Sequence, residues 1–168
     1  LTGGRVMDGR QSQQPTVSDR EWCHGAVQDV SRTFALTIDA LEEPMATRIC
    51  VGYLLCRVAD TVEDATSIHP DEQRALLETY DAVLDPDSET TADDFRAAVA
   101  DHVPEEPNAD WRVVAEAPRV LAAFDSLDDD AREAIRPTVR EMATGMASFV
   151  ERYDDTGGLR IQSASELE

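Results

Sequence analysis

Apolar residues recur at helical spacing through most of this chain, and no useful stretch alternates in the two-residue rhythm of a strand. A first helix is expected to start at Ser18 or Asp19, with Glu21 in its first turn and Trp22, Ala26, Val27 and Val30 on its inner face. Ser31-Arg32-Thr33-Phe34 interrupts or bends it before Ala35 to Leu41. Pro44 sits where a first-turn proline belongs, so the next helix is expected from about Pro44 to Asp64. Ile68-His69-Pro70-Asp71 reads as a stop and a fresh start, and Ala75, Leu76, Tyr80, Val83 and Leu84 keep the spacing to a break at Asp85-Pro86. Then come a short helix around Ala92 to His102, a proline-rich acidic loop at 103–109 and a helix from about Ala109 to Leu127. A last helix runs from about Asp128 to Tyr153, with Pro137 as a kink point. Residues 1–18 carry Gly3-Gly4, Gly9 and a Gln/Ser/Pro-rich stretch without periodicity, which reads as a disordered leader. The fold class this pattern implies is all-α, with residues 19–168 in one helical bundle.

One of these helices carries an unusual face. Tyr53, Arg57, Asp60 and Asp64 fall within roughly 60° of arc at about 100° per residue, and Glu63 lies on the flank of the same face. Charged side chains are almost never fully buried without partners, so such a stripe on an otherwise apolar helix points to a wet cleft. Carboxylates at i and i+4 suit a shared hard cation such as Mg²⁺, which takes one or two carboxylates and completes its shell with waters and substrate phosphates. The same pattern also fits a solvated helix end in an acidic chain, with Arg57 in an ion pair with Asp60 or Glu63 and Tyr53 as a core aromatic.

Composition narrows the classes of function. The 35 acidic residues against 15 basic ones give a net charge of −20, and every basic residue is Arg. Nucleic acid is an unsuitable partner, because the arginines are scattered among acids and form no basic stripe. The excess charge runs along the whole chain and reads as a halophile's surface, solubilised by self-repulsion that salt screens. Cys23, Cys50 and Cys56 form neither a CxxC pair nor an even set and are expected as small buried hydrophobes in a reducing, cytoplasmic setting. His24, His69 and His102 stand alone and are given no metal role. The longest apolar run, Ile49 to Cys56, is too short to be a transmembrane segment.

Ser31-Arg32-Thr33-Phe34 upstream of Tyr53-x-x-x-Arg57-x-x-Asp60-Thr61-Val62-Glu63-Asp64, with Met142 to Phe149 downstream, resembles the squalene/phytoene synthase family, the head-to-head trans-isoprenyl diphosphate synthases. The squalene synthase branch is the closer likeness, and it runs from about Trp22 to the end of the chain. The resemblance implies an isoprenoid-synthase-type bundle in which two farnesyl diphosphates join to give squalene by way of presqualene diphosphate. It implies that Asp60 and Asp64 bind Mg²⁺ at the diphosphate, with Glu63 as a further ligand or a partner behind it. Arg57 and Arg32 would grip phosphate oxygens, Ser31 and Thr33 would add neutral donors, and Phe34 would wall the pocket. Tyr53 would assist proton removal, and Gly145 and Met146 would lie in the substrate pocket. NADPH would supply hydride in the squalene branch. A phytoene or dehydrosqualene synthase is the alternative within the family, and a non-catalytic acidic helical binding module the alternative outside it. A cytoplasmic enzyme working at the membrane surface is expected from so apolar a product.

The family's second aspartate-rich segment has no counterpart in these residues, and the sequence begins without Met, so a truncated, N-terminal portion of the domain is expected, inactive by itself. Such a portion would leave apolar faces at Ile49, Leu54 and Leu55 partly uncovered. The charge makes its own prediction: the fold should melt at a lower temperature in low salt than in molar salt, because screening shortens the reach of acid–acid repulsion. Superimposable melting curves at the two ionic strengths would contradict it.

Overall fold

The computed structural model describes residues 18–155, and the expected leader at 1–17 lies outside them. Among the described residues every regular element is helical. Helix α1 is Asp19–Val30, α2 Arg32–Asp39, α3 Met45–Glu63, α4 Pro70–Leu84 and α5 Ala92–Val99, followed by a 3₁₀ turn at Ala100–His102. Helix α6 is Ala109–Ala115, α7 Ala117–Asp125 and α8 Asp129–Asp155.

The starts of these helices are chemically marked. Ser18 and Glu21 form a reciprocal capping box at α1, and Thr91 and Asp94 form another at α5. Ser31 ends one helix and begins the next: its N–H donates to the Val27 carbonyl at 2.9 Å, while its hydroxyl oxygen accepts from the Phe34 N–H at 3.2 Å. Its extended backbone, φ −151° and ψ 100°, turns the chain between α1 and α2. Pro70 opens α4 behind an imidazole cap from His69.

One boundary differs from the sequence expectation. The helix expected over Ala109 to Leu127 is broken at Glu116, φ −104° and ψ 24°. Pro118 has no N–H to give to the Val114 carbonyl and its ring crowds that oxygen, so the α-helical ladder restarts instead of running through. Pro137, by contrast, lies within α8 without ending it. The distinction is one of packing, since α8 lies along α4 over much of its length and holds its course across the missing bond.

Helix α3 is the centre of the bundle. It packs against α1, α2, α4, α6, α7 and α8, and Cys50, Val51, Leu54, Leu55, Val58 and Ala59 along it are completely buried. Leu54 and Leu55 are therefore not uncovered, contrary to expectation, because six helices pack around α3. Ile49 does stay 38% exposed, near Met45 at 46%. Cys23 and Cys50 are buried as small hydrophobes, and burial pushes both thiols up to about 12. Cys56 is only half-buried.

Tyr80 fixes α4 to the centre. Its ring tilts against Phe95 with centroids 5.1 Å apart, and its buried hydroxyl donates to the Leu55 carbonyl at 2.7 Å. Tyr80→Phe keeps the ring and leaves that carbonyl with its helical partner alone, so chemical denaturation should report a loss of about 1 kcal/mol. No change in unfolding free energy would show that the hydroxyl contributes nothing to the docking of α4.

Candidate active site

The polar face expected on α3 exists, and its members are electrically linked in order. Tyr53, Arg57 and Asp60 are half-buried and Asp64 is exposed at the end of the helix. Arg57 Nη1 lies 3.7 Å from Asp60 Oδ2, and the charges of Asp60 and Asp64 act on one another. Thr61, on the buried side of the same turn, donates its hydroxyl to the Arg57 carbonyl at 2.8 Å.

Desolvation raises the Asp60 carboxyl above its usual range, and the neighbouring charges of Asp64 and Asp110 add to the rise while Arg57 opposes it. Helix geometry compounds that cost. Asp60, Glu63 and Asp64 all stand in or at the last turn, where the dipole is negative, and no basic residue occupies that turn. Three carboxylates at the anionic end of a mostly buried helix create a place where a cation is favoured. Among the described residues there is no ready-made cluster of three or more acidic, His or Cys ligands. A two-carboxylate site, finished by water and a phosphate, is the form these residues can take.

Asp110 is the member that the pattern of the sequence did not reveal. It sits in the first turn of α6 and takes Arg57 in a fork, Nε to Oδ1 at 3.0 Å and Nη2 to Oδ2 at 2.9 Å. The pair is two-thirds or more shielded on both sides and raises the affinity of Arg57 for its proton. Two of the guanidinium's three nitrogens are thus committed to Asp110, and the third is turned to Asp60.

Toward its N-terminal end the same face becomes apolar. The Tyr53 ring stacks on Phe34, centroids 4.2 Å apart and planes 25° from parallel, so the Ser31–Phe34 bend is brought against α3. Beside them runs a groove of about 380 Å³ between α3 and α8, lined by Ile49, Gly52, Tyr53, Cys56, Ile135 and Val139 among others. Arg32 and Thr33 are exposed at the start of α2, away from this lining. Met146 shares the α8 face that carries Ile135 and Val139 but stands further along it, Gly145 lies to one side of that face, and neither lines the groove. Gly145 is exposed, with nothing within 4 Å of where a Cβ would stand, and Met146 packs on the core.

Residues 27–168 match the family model described as squalene/phytoene synthase. The chain belongs to the squalene/phytoene synthase family. It is 30% identical to squalene synthase 1 of Arabidopsis thaliana over 157 residues, which is 90% of this chain and 35% of that protein. Human squalene synthase is 26% identical over 153 residues, 91% of this chain and 34% of its own length. A solved structure, the complex of TcSQS with the ligand E5700, overlays with a TM-score of 0.64 at 25% identity, covering 80% of this chain and 36% of that one. The chain thus spans about a third of the length of these synthases.

The raised Asp60 carboxyl has a consequence for stability. A carboxyl that ionises less readily when folded gives stability that is present below its unfolded pKa and is lost as pH rises through its shifted one. In chelator, Asp60→Asn should therefore melt above the wild type at pH 7, the gap closing as pH is lowered through the carboxyl range. Added Mg²⁺ should raise the melting temperature of the wild type and leave the variant where it was. A variant that melts lower in chelator at pH 7 would show that Asp60 is held by Arg57 as a structural pair.

Proposed function

We propose that this chain supplies the first diphosphate-binding wall of a transferase that joins two farnesyl diphosphates head to head, forming squalene through presqualene diphosphate. The observation that carries this reading is the division of one helix face: apolar and aromatic at Tyr53, acidic at Asp60 and Asp64. A prenyl diphosphate has the same division, an apolar chain ending in an anion that travels with Mg²⁺. Squalene synthases among the similar proteins favour the squalene branch over phytoene or dehydrosqualene formation.

Asp60 and Asp64 are the residues that would hold Mg²⁺, with Glu63 beside them, and the ion would neutralise charge on the departing diphosphate. Asp110 holds Arg57 so that its remaining nitrogen steadies Asp60, and a phosphate oxygen can approach that same edge of the guanidinium. Ser31 accepts through its oxygen from Phe34 and keeps its own hydroxyl proton to donate to a phosphate. Arg32, exposed and without an ion-pair partner among the described residues, can reach an anion from the same bend. Tyr53, stacked on Phe34 and lining the groove, would take part in proton removal next to an allylic cation. The groove gives the prenyl chain a water-poor wall, which protects a carbocation from capture. Squalene formation further requires a hydride donor such as NADPH, to which no residue of this chain is assigned.

No helix among the described residues is long and apolar enough to cross a membrane. Exposed Leu36, Met45 and Ile49, the last of them in the groove lining, suit a cytoplasmic enzyme that releases an apolar product at a membrane surface.

The test is turnover of labelled farnesyl diphosphate by the complete gene product with Mg²⁺, with and without NADPH. Asp60→Asn should lower turnover on the order of a hundredfold to a thousandfold, as loss of a group that stabilises developing charge does, with helicity retained. Undiminished turnover at saturating Mg²⁺ would remove these carboxylates from the mechanism. Cation binding that ignores diphosphate, with no product from any prenyl substrate, would favour the non-catalytic acidic module. Dehydrosqualene formed even with NADPH, or phytoene formed when labelled geranylgeranyl diphosphate replaces the farnesyl substrate, would move the chain to the other branch.

A further inference from the structure

Beneath the acidic end of α3 lies a buried amide side chain from α4. Gln73, in the first turn of α4, is 1% exposed. Its Nε2 lies 3.1 Å from the Val62 carbonyl, 3.0 Å from that of Glu63 and 2.9 Å from that of Ala65. Three carbonyl oxygens round one terminal atom identify that atom as the amide nitrogen, since an oxygen there would meet only acceptors. Two N–H groups thus serve three acceptors, one of them shared.

These carbonyls belong to the turn that ends α3. The last four carbonyls of a helix have no partner within it, and those of Val62 and Glu63 are among them here. They also form the negative end of the helix, next to Asp60, Glu63 and Asp64. The opposite atom of the same amide, Oε1, is buried with no hydrogen-bond partner. An unsatisfied buried oxygen is costly, so an apolar residue would be the more stable choice unless the nitrogen's three contacts matter.

We infer that Gln73 is the positioning residue of the metal-binding turn, capping the C-terminal carbonyls of α3 so that Asp60 and Asp64 present their oxygens in one fixed register. This rests on the proposed role of those carboxylates. Gln73 touches neither substrate nor cation and acts through the backbone of Val62, Glu63 and Ala65. Backbone bonds also hold the turn: the Asp64 N–H donates to Asp60 at 2.9 Å, the Ala65 N–H to Val62 at 3.2 Å and the Ile68 N–H to Ala65 at 3.2 Å, while the Glu63 carbonyl has only Gln73 among these donors. A donor from α4 therefore joins two helices at the place where the ligands stand.

The experiment uses the complete gene product, with diphosphate release from farnesyl diphosphate measured as Mg²⁺ is titrated. Gln73→Met keeps the length and removes the donor. It should raise the Mg²⁺ concentration for half-maximal rate about tenfold to a hundredfold, the range seen when a group supporting metal ligands is lost, with a much smaller fall in turnover at saturating Mg²⁺. Hydrogen exchange should quicken at the amides of Asp64, Ala65 and Ile68 and hold steady in α6 and α7. Gln73→Lys, whose ammonium donates to the same carbonyls, should bring both readings back toward wild type. An unchanged Mg²⁺ requirement in Gln73→Met overturns the inference, even if that protein is less stable. If Gln73→Met loosens the whole bundle, the lysine variant decides: folded with a near-wild-type Mg²⁺ requirement it supports the role, folded with a raised one or unfolded it overturns it. A wild type that releases no diphosphate with Mg²⁺ is a failure of the proposed function, and the positioning role falls with it.

Discussion

The structure is organised around the cost of ending a buried helix in carboxylates. Most of α3 is core, yet its last turn gathers Asp60, Glu63 and Asp64 at the negative end of the helix dipole, with Asp60 partly removed from water. Left alone such an end would repel itself and fray. The surrounding helices each contribute something that offsets this: α6 brings Asp110 to lock Arg57 beside Asp60, and α4 brings the Gln73 amide to the carbonyls beneath. The carboxylates still stand together at the negative end of the helix, and the proposed cation would act on that electrostatic cost.

The Arg57–Asp110 fork illustrates how one contact can be structural and functional together. A shielded ion pair returns little net stability, because desolvating two charges costs about as much as their attraction yields. Its value lies in geometry. With Nε and Nη2 engaged, the guanidinium cannot rotate, and its free edge faces the carboxylate and any phosphate near it. The proposed phosphate contact of Arg57 would use the edge that Asp110 leaves free, the same edge that faces Asp60.

The groove between α3 and α8 follows from small and aromatic residues in the right places. Gly52 leaves the α3 surface low opposite Ile135, whose nearest carbon would lie 3.8 Å from an added Cβ. The stacked Phe34 and Tyr53 form the other flank. The groove is apolar apart from Arg48 and Thr138, and the acidic turn of α3 lies further along the same helix, outside its lining, so α3 changes character along its length.

Local chemistry was enough to find the helices, their caps and the polar face of α3. Periodicity, the capping signals at Ser18 and the proline at Pro70 act between residues a turn apart, and the sequence displays them directly. The family likeness was legible for the same reason, since Tyr53 to Asp64 is one continuous stretch on one face. The break at Glu116 was not legible although Pro118 signalled it, because Pro137 shows that a proline can equally be carried within a helix that packing keeps continuous. Asp110 and Gln73 lay beyond reach of pattern altogether. One is an ordinary acid in an acidic chain and the other an ordinary amide, and each acquires its role only by standing against α3 from a different helix. The sequence by itself determined which residues share a face, since that depends on helical pitch alone; the tertiary structure decided which of them are paired, capped or left charged, since that depends on neighbours many residues away.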